Sequence, residues 1–133
     1  MGYAEKVLIV GGIAALWVGV VTGMFMGRVR ETEPVVPKYL NLAHVGGFMA
    51  GPMLLGLVFA LALSDLSDTL EALAAWALVA SAGLLAVKDL HNWRTGVVDE
   101  FAERSLGFRL GVASSVLLVA GLATLTVGVV SGI

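Results

Sequence analysis

Four long apolar stretches constrain the fold of this chain more than any other feature. They cover residues 7–27, 40–63, 70–87 and 110–130. A helix needs about 20 predominantly apolar residues, with a range of about 17 to 25, to cross the hydrocarbon core of a membrane. Charged residues make up only 14% of the chain and lie mostly between these stretches. The sequence therefore predicts an all-α membrane protein, a bundle of four transmembrane helices that forms a single domain over residues 1–133.

The chain contains no cysteine, which excludes disulfides, thiolate metal sites and cysteine nucleophiles. Arg28 and Arg30 follow the first apolar stretch without a cleavage motif of small residues. We therefore expect this stretch to remain as a helix and not to be removed as a signal peptide. Four spanning helices leave no room for a soluble domain. The expected surroundings are membrane lipid, and we expect no nucleic-acid partner.

Basic residues cluster in two of the three connections between the apolar stretches. Lys6 precedes the first stretch, and the other seven Lys and Arg residues lie in the first and third connections: Arg28, Arg30, Lys38, Lys88, Arg94, Arg104 and Arg109. Lysine and arginine bias short loops toward the cytoplasm. We therefore expect loops one and three to face the cytoplasm and both termini to lie on the opposite side of the membrane.

Small residues recur at regular spacing in two of the stretches. In the first they recur every four residues, at Gly11, Ala15, Gly19, Gly23 and Gly27; in the fourth every seven, at Ser114, Gly121 and Gly128. Small side chains let helix backbones approach closely where lipid supplies no hydrophobic drive for association. The pattern predicts helix-packing faces, and the small size of the protomer favours a homo-oligomer.

His44 is an ionisable side chain placed just inside the second apolar stretch. Such a group costs energy in a membrane unless it has a partner or a function. Gly47 and Gly51 follow it at spacings of three and four residues, which place all three residues on one helix face. That bare face suits a flat cofactor such as haem, with His44 as the iron ligand. It suits a neighbouring helix equally well, because G-x-x-x-G is a common packing motif.

His91, near the end of the third stretch, lies on the same side of the membrane as His44 in the predicted topology. Both histidines could therefore reach one site. Alternatively, His91 anchors the helix end at the membrane interface together with Trp93 and Arg94. Further polar side chains predicted to converge at these helix ends are Tyr39, Asn41, Lys88, Asp89 and Asn92.

Two charged segments have simple interpretations. Lys88 and Asp89 are expected to form an interfacial charged pair. Acidic and basic residues at helical spacings around Phe101 predict a short amphipathic segment on the membrane surface, or else a solvated linker. These residues are Asp99, Glu100, Glu103 and Arg104.

The second apolar stretch carries a distinctive series of residues: Tyr39, Ala43, His44, Gly46, Gly51, Met53 and Phe59. In this series, and most specifically in Ala43-His44-x-Gly46, the chain resembles the second helix of the styrene oxide isomerases. These are small four-helix membrane enzymes, and the similarity extends more faintly over about three quarters of the chain. The resemblance implies a homotrimer in the inner (plasma) membrane of a bacterium. It also implies that His44 ligates the iron of a haem b held between subunits.

In that family, ferric haem acts as a Lewis acid on an epoxide oxygen and drives rearrangement to an aldehyde. Three positions of this chain depart from the family pattern. Ala50 stands where the family has an asparagine, Ser81 where it has an aspartate, and Asp89 where it has a tyrosine. Haem binding needs mainly His44 and an apolar slot. The departures therefore bear on substrate positioning and charge stabilisation.

Three functions are compatible with these residues. The first is a haem b isomerase for a small hydrophobic epoxide, in which His44 ligates iron and Asp89 or Tyr39 orients the substrate. The second is an electron-transfer or sensing protein whose haem is ligated by both His44 and His91. The third is an accessory membrane subunit without a cofactor, whose small-residue faces bind a larger partner.

Overall fold

The computed structural model describes all 133 residues as five helices joined by short loops. The helices are α1 (Tyr3–Val29), α2 (Lys38–Leu61), α3 (Asp68–Thr95), α4 (Glu100–Glu103) and α5 (Leu106–Gly132). The four long helices are each long and apolar enough to cross a membrane. This confirms the predicted all-α fold with four helices that are suited to span a membrane.

The helices extend beyond the apolar stretches from which they were predicted. The third stretch was expected to end at residue 87, whereas α3 continues to Thr95 and ends at Gly96, whose φ of 70° is left-handed. Glycine adopts that conformation without a steric penalty and is a common helix terminator. Hydropathy marks the apolar part of a helix, and hydrogen bonding along the backbone continues through the charged residues beyond it.

Helix α3 is the central element of the bundle. Helix α1 packs mainly on α2, α5 packs mainly on α3, and both α1 and α2 also contact α3. Because short loops join successive long helices, neighbours in sequence run antiparallel. The loop end of the bundle thus contains residues 30–37 and 96–105, and the terminal end contains both chain termini and residues 62–67.

The buried apolar core lies toward the terminal end, whereas the outer surface is also apolar. The core residues are Ala4, Leu8, Leu54, Leu61, Ala74, Ala75, Leu78 and Leu125. Large apolar side chains point outward along the helices, among them Trp17, Phe59 and Val116. A contiguous apolar exterior of this kind is unusual on a soluble monomer and indicates lipid or another membrane-embedded surface as the surroundings.

The small-residue series on α1 does not form the single packing face that its spacing predicted. A Cβ atom on Gly11 would collide with Val79 of α3, whereas one on Gly19 would lie 2.9 Å from Phe48 of α2. Gly27 has nothing within 4 Å of its Cβ position. Residues four apart on an α-helix turn by about 40° at each step, so the series winds around α1 and meets two different helices.

The series on α5 does stay on one face. Residues seven apart drift by only about 20°, and Ser114, Gly121 and Gly128 are all buried. A Cβ atom on Gly121 would lie 2.7 Å from Leu78 Cγ and 3.1 Å from the Ala74 carbonyl oxygen of α3. The predicted packing face of α5 is therefore confirmed. Ser114 and Gly121 face α3, and Gly128 faces Ser64 and Leu66 in the connection before α3.

Candidate functional site

His44 lies in the second turn of α2, half-buried, with its ring against α1. Its Nδ1 atom is 2.7 Å from the carbonyl oxygen of Gly19. A carbonyl oxygen only accepts hydrogen bonds, so Nδ1 carries the hydrogen and donates it. In the neutral ring, Nε2 then keeps its lone pair. The structure thus selects the tautomer in which Nε2 can bind a metal.

Glycines on α1 and an aromatic ring on α2 hold His44 in this orientation. A Cβ atom on Gly23 would lie 2.9 Å from His44 Cε1, so only glycine lets the ring approach α1 this closely. The Phe48 ring packs edge-on against the imidazole, with ring centroids 5.1 Å apart and an interplanar angle of 87°. The imidazole is therefore fixed by a hydrogen bond, by a helix surface and by an aromatic neighbour.

Gly47 and Gly51 are buried in the same seam between α1 and α2. A Cβ atom on Gly47 would lie 2.5 Å from the Gly19 nitrogen, and one on Gly51 would lie 2.6 Å from Leu16 Cγ. The bare helix face that was predicted beside His44 is thus covered by the α1 backbone and by Leu16. Of the two interpretations of this G-x-x-x-G motif, helix packing is the arrangement that the structure contains.

A buried charged cluster, consisting of Lys88, Asp89 and Glu100, lies at the loop end of the bundle. Lys88 Nζ is 2.9 Å from Asp89 Oδ1 and 2.9 Å from Glu100 Oε1. The predicted pair of Lys88 and Asp89 therefore forms, but it is buried and shared with a second carboxylate. One lysine beside two carboxylates gives the cluster a formal charge of −1 when all three groups are ionised.

Glu100 enters the bundle from α4 and has a full set of partners. Its carboxylate accepts hydrogen bonds from Lys88 and from Asn92 Nδ2, the latter at 2.7 Å, and its backbone N–H donates to the Tyr39 hydroxyl at 3.0 Å. Ser105 donates to the Asn92 side chain in turn. The expectation of a surface segment or solvated linker is wrong for Glu100, because burial with Lys88 and Asn92 holds it inside the bundle.

The Asp89 carboxylate has fewer hydrogen-bond partners than that of Glu100. Its Oδ1 atom receives no hydrogen bond of good geometry, although it is close to Lys88. The side chain lines a cavity of about 130 Å³ between α1, α2 and α3. Every other residue lining that cavity is Gly, Ala, Val or Leu. Asp89 is therefore the one polar side chain in an otherwise apolar cavity wall.

The structure divides the predicted site residues between two places. Tyr39 and Asp89 both lie beside Lys88, whose Nζ is 5.9 Å from the centroid of the Tyr39 ring. His44 contacts α1 instead, and no hydrogen bond or ring contact joins it to His91, which is half-buried on α3. The convergence expected from sequence thus occurs for Tyr39, Lys88, Asp89 and Asn92 but does not include His44.

Ser81 and Ala50 occupy two positions where the chain departs from the isomerase pattern. Ser81 on α3 and Ser114 on α5 each donate to the other's carbonyl oxygen at 2.8 Å. Ser81 therefore joins helices and has no group left facing a site. Ala50 lines the apolar cavity.

Glu100 and Ser105 belong to the cluster at the loop end but were not predicted to do so from sequence. Glu100 lies twelve residues beyond Lys88, in a segment whose neighbours Phe101 and Glu103 are exposed. Local composition there is that of a solvated turn. The sequence carried no signal for Glu100, because Lys88 was already expected to pair with Asp89.

Haem b, which the resemblance implies, can be tested against these residues. No group of three or more metal-binding side chains is present, but haem iron needs only one or two protein ligands. His44 offers one such ligand atom in Nε2, because Nδ1 donates to Gly19. The cavity of about 130 Å³ is smaller than the roughly 300 to 1,000 Å³ of ordinary ligand sites. This cavity is therefore too small to hold a haem.

Comparison with known proteins adds no relative. No family model matches the chain, no curated protein matches it, and no solved structure matches it. The residues described above are therefore the whole basis for assigning a function.

Proposed function

We propose that this protein is an integral membrane haem b protein in which His44 is the axial ligand of the iron. The hydrogen bond from His44 Nδ1 to the Gly19 carbonyl is the observation that supports this proposal most directly. Metal-binding histidines commonly donate their second ring N–H to a backbone carbonyl or carboxylate, which fixes the tautomer and the ring orientation. With Nδ1 donating to Gly19, the Nε2 lone pair of a neutral His44 is available to iron.

The proposal places the haem between protomers of a homotrimer. The half-buried position of His44 and the small size of the cavity between α1, α2 and α3 support this arrangement. The exposed Phe48 ring, which packs against His44, supplies apolar surface that a cofactor and a partner could cover. The seven basic residues of loops one and three support a cytoplasmic location for the loop end, in a bacterial inner membrane.

The proposed reaction is the isomerisation of a small hydrophobic epoxide to a carbonyl compound. Ferric haem, when bound, supplies Lewis acidity toward the epoxide oxygen. Of the two proposed orienting residues, Tyr39 keeps its own hydrogen for donation, because its hydroxyl accepts from the Glu100 N–H. Both residues lie beside Lys88, and neither contacts His44. Asp89 as a carboxylate only accepts. An apolar exterior allows such a substrate to enter from the lipid.

Purification in mild detergent, followed by a visible spectrum and a pyridine haemochrome assay, tests the proposal. We expect a Soret band that is lost in His44→Ala and retained in His91→Ala, which serves as the matched control. A Soret band that persists in His44→Ala would refute the ligand assignment. Loss of a low-spin bis-histidine spectrum in His91→Ala would favour electron transfer or sensing, and a colourless protein would favour an accessory subunit.

A further inference from the structure

Thr22 on α1 lies beside the carbonyl group that orients His44. Its hydroxyl oxygen is 2.6 Å from the carbonyl oxygen of Val18 and 3.1 Å from that of Gly19. The Gly19 oxygen also accepts the hydrogen bond from His44 Nδ1, at 2.7 Å. The carbonyl of Gly19 therefore has one side-chain donor from α2 and a second from its own helix.

The hydroxyl groups on the outer side of α5 have a simpler arrangement. Each of them is exposed and donates to the carbonyl oxygen four residues earlier: Ser115, Thr124, Thr126 and Ser131. Such bonds are common for hydroxyl side chains inside helices. Thr22 differs because it is only 3% exposed and because one of the two carbonyls that it reaches is already the partner of His44.

Lone pairs limit how many donors the Gly19 carbonyl can serve. A backbone carbonyl has two lone pairs, and the regular pattern of an α-helix directs the N–H of Gly23 at one of them. His44 and Thr22 therefore compete for the other. The Thr22 hydroxyl has a single hydrogen, which is divided between Val18 and Gly19. Whenever that hydrogen points to Gly19, the bond from His44 is weakened.

We propose that Thr22 is a positioning residue that limits the hydrogen bond from His44 to Gly19 and thereby sets how strongly Nε2 donates electrons to a bound metal. The group that accepts from the second ring N–H of a metal-binding histidine raises the basicity of that ligand. A Gly19 carbonyl that Thr22 partly occupies raises it less. The effect on haem iron rests on the proposed function, whereas the competition at Gly19 is a property of this chain alone.

The hydrogen bond itself can be measured by NMR without haem. Full-length protein with isotope-labelled histidine, produced without a haem supply and placed in lipid nanodiscs, gives a proton resonance for His44 Nδ1–H, and His91→Ala identifies which resonance belongs to His44. Thr22→Val keeps the shape of the side chain and removes the competing donor. We expect it to move this resonance downfield, because a stronger hydrogen bond deshields the proton.

Three further variants separate the hydroxyl from the volume of the side chain. Thr22→Ser keeps the hydroxyl and should leave the resonance at its wild-type position. Thr126→Val is the matched control, because the exposed Thr126 donates to the carbonyl of Leu122 on α5, far from His44 in sequence. Should Thr22→Val fail to fold, Thr22→Ala removes the same hydroxyl and must give the same downfield shift. An unchanged or upfield resonance after loss of the hydroxyl would overturn the proposal, whether or not the protein binds haem.

The step from the hydrogen bond to the iron is measured in the haem-loaded protein by redox titration. Hydrogen bonding around the axial ligand is one of the means by which a protein sets the potential of haem. We expect a lower midpoint potential in Thr22→Val than in the wild type, and no change in Thr126→Val or Thr22→Ser. Equal potentials in Thr22→Val and Thr126→Val would overturn this step. A protein that shows the NMR shift but never binds haem would refute the proposed function and leave the competition at Gly19 established.

Discussion

The α1–α2 seam and the α3–α5 seam are both formed by closely packed helices, but the hydrogen bonding of their polar side chains differs. In both, glycines bring two backbones together, at Gly19 and Gly47 in the first seam and at Gly121 in the second. Across the second seam, Ser81 and Ser114 satisfy each other in both directions. In the first seam, His44 donates one hydrogen bond and keeps the other ring nitrogen free.

The difference shows how to separate packing from function inside a membrane protein. A polar side chain between helices is expected to find partners, because lipid offers none. When every polar group of a side chain has a hydrogen-bond partner, as at Ser81, its role is to join the helices. When one polar group has no partner and its side chain is held in one orientation, as at His44, that group is the better guide to a ligand.

The largest expected effect concerns the charged cluster on the α3–α5 side. Replacing Lys88 by Met leaves the Asp89 and Glu100 carboxylates buried without a cation. We expect Lys88→Met to lower the free energy of unfolding by about 3 to 5 kcal/mol, the usual cost of breaking a buried ion pair from one side. Reversible unfolding in mixed micelles, followed by circular dichroism, measures the change.

Lys6→Met is the control for this experiment, because Lys6 is exposed and makes no ion pair. Adding Asp89→Asn and Glu100→Gln to Lys88→Met should recover part of the loss, since no bare charge then remains buried. If Lys88→Met is as stable as Lys6→Met, the charged cluster does not stabilise the loop end of the bundle. The two sides of the bundle then do not differ in this respect.

An intermediate effect is expected from crowding either seam. Gly19→Leu and Gly121→Leu each force a side chain into a close helix contact, which typically costs about 1 to 3 kcal/mol. We expect both variants to unfold at lower temperature. Only Gly19→Leu should also lower haem content per protomer, because it displaces Phe48 and the carbonyl that orients His44.

Gly27→Leu is the matched control, because the Cβ position of Gly27 is free of neighbours. It should behave like the wild type in thermal unfolding. Equal haem loss in Gly19→Leu and Gly121→Leu would mean that the cofactor responds to general instability and not to the α1–α2 seam.

The smallest expected effect is that of the serine pair. Hydrogen bonds between membrane helices average about 0.6 kcal/mol in double-mutant cycles, and we expect a coupling of that order between Ser81→Ala and Ser114→Ala. Haem content should stay unchanged in all three variants. A coupling near zero would show that these serines act only through their small size.

The sequence predicts the four long helices but not the burial of Glu100, and the physical reasons differ. Apolar length alone forecasts the four spanning helices, because lipid permits few alternatives. Which residue pairs with Glu100 is not predicted from the sequence, because the pairing depends on how α4 folds back onto α3. The small-residue series of α1 was predicted to form one packing face, but a four-residue spacing turns about 40° per step. This rotation places Gly11 against α3 but Gly23 against α2.

The position of His44 has a consequence for the order of events during synthesis. Its hydrogen-bond and ring partners, Gly19 and Phe48, lie on α1 and α2, and α2 ends at Leu61. Contacts that are close in sequence form early, and chains fold from the N-terminus as they leave the ribosome. We expect the first helical hairpin to orient His44 while the second half of the chain is still being translated. The Glu100 contact, made by the last connection, then forms in a bundle in which His44 is already oriented.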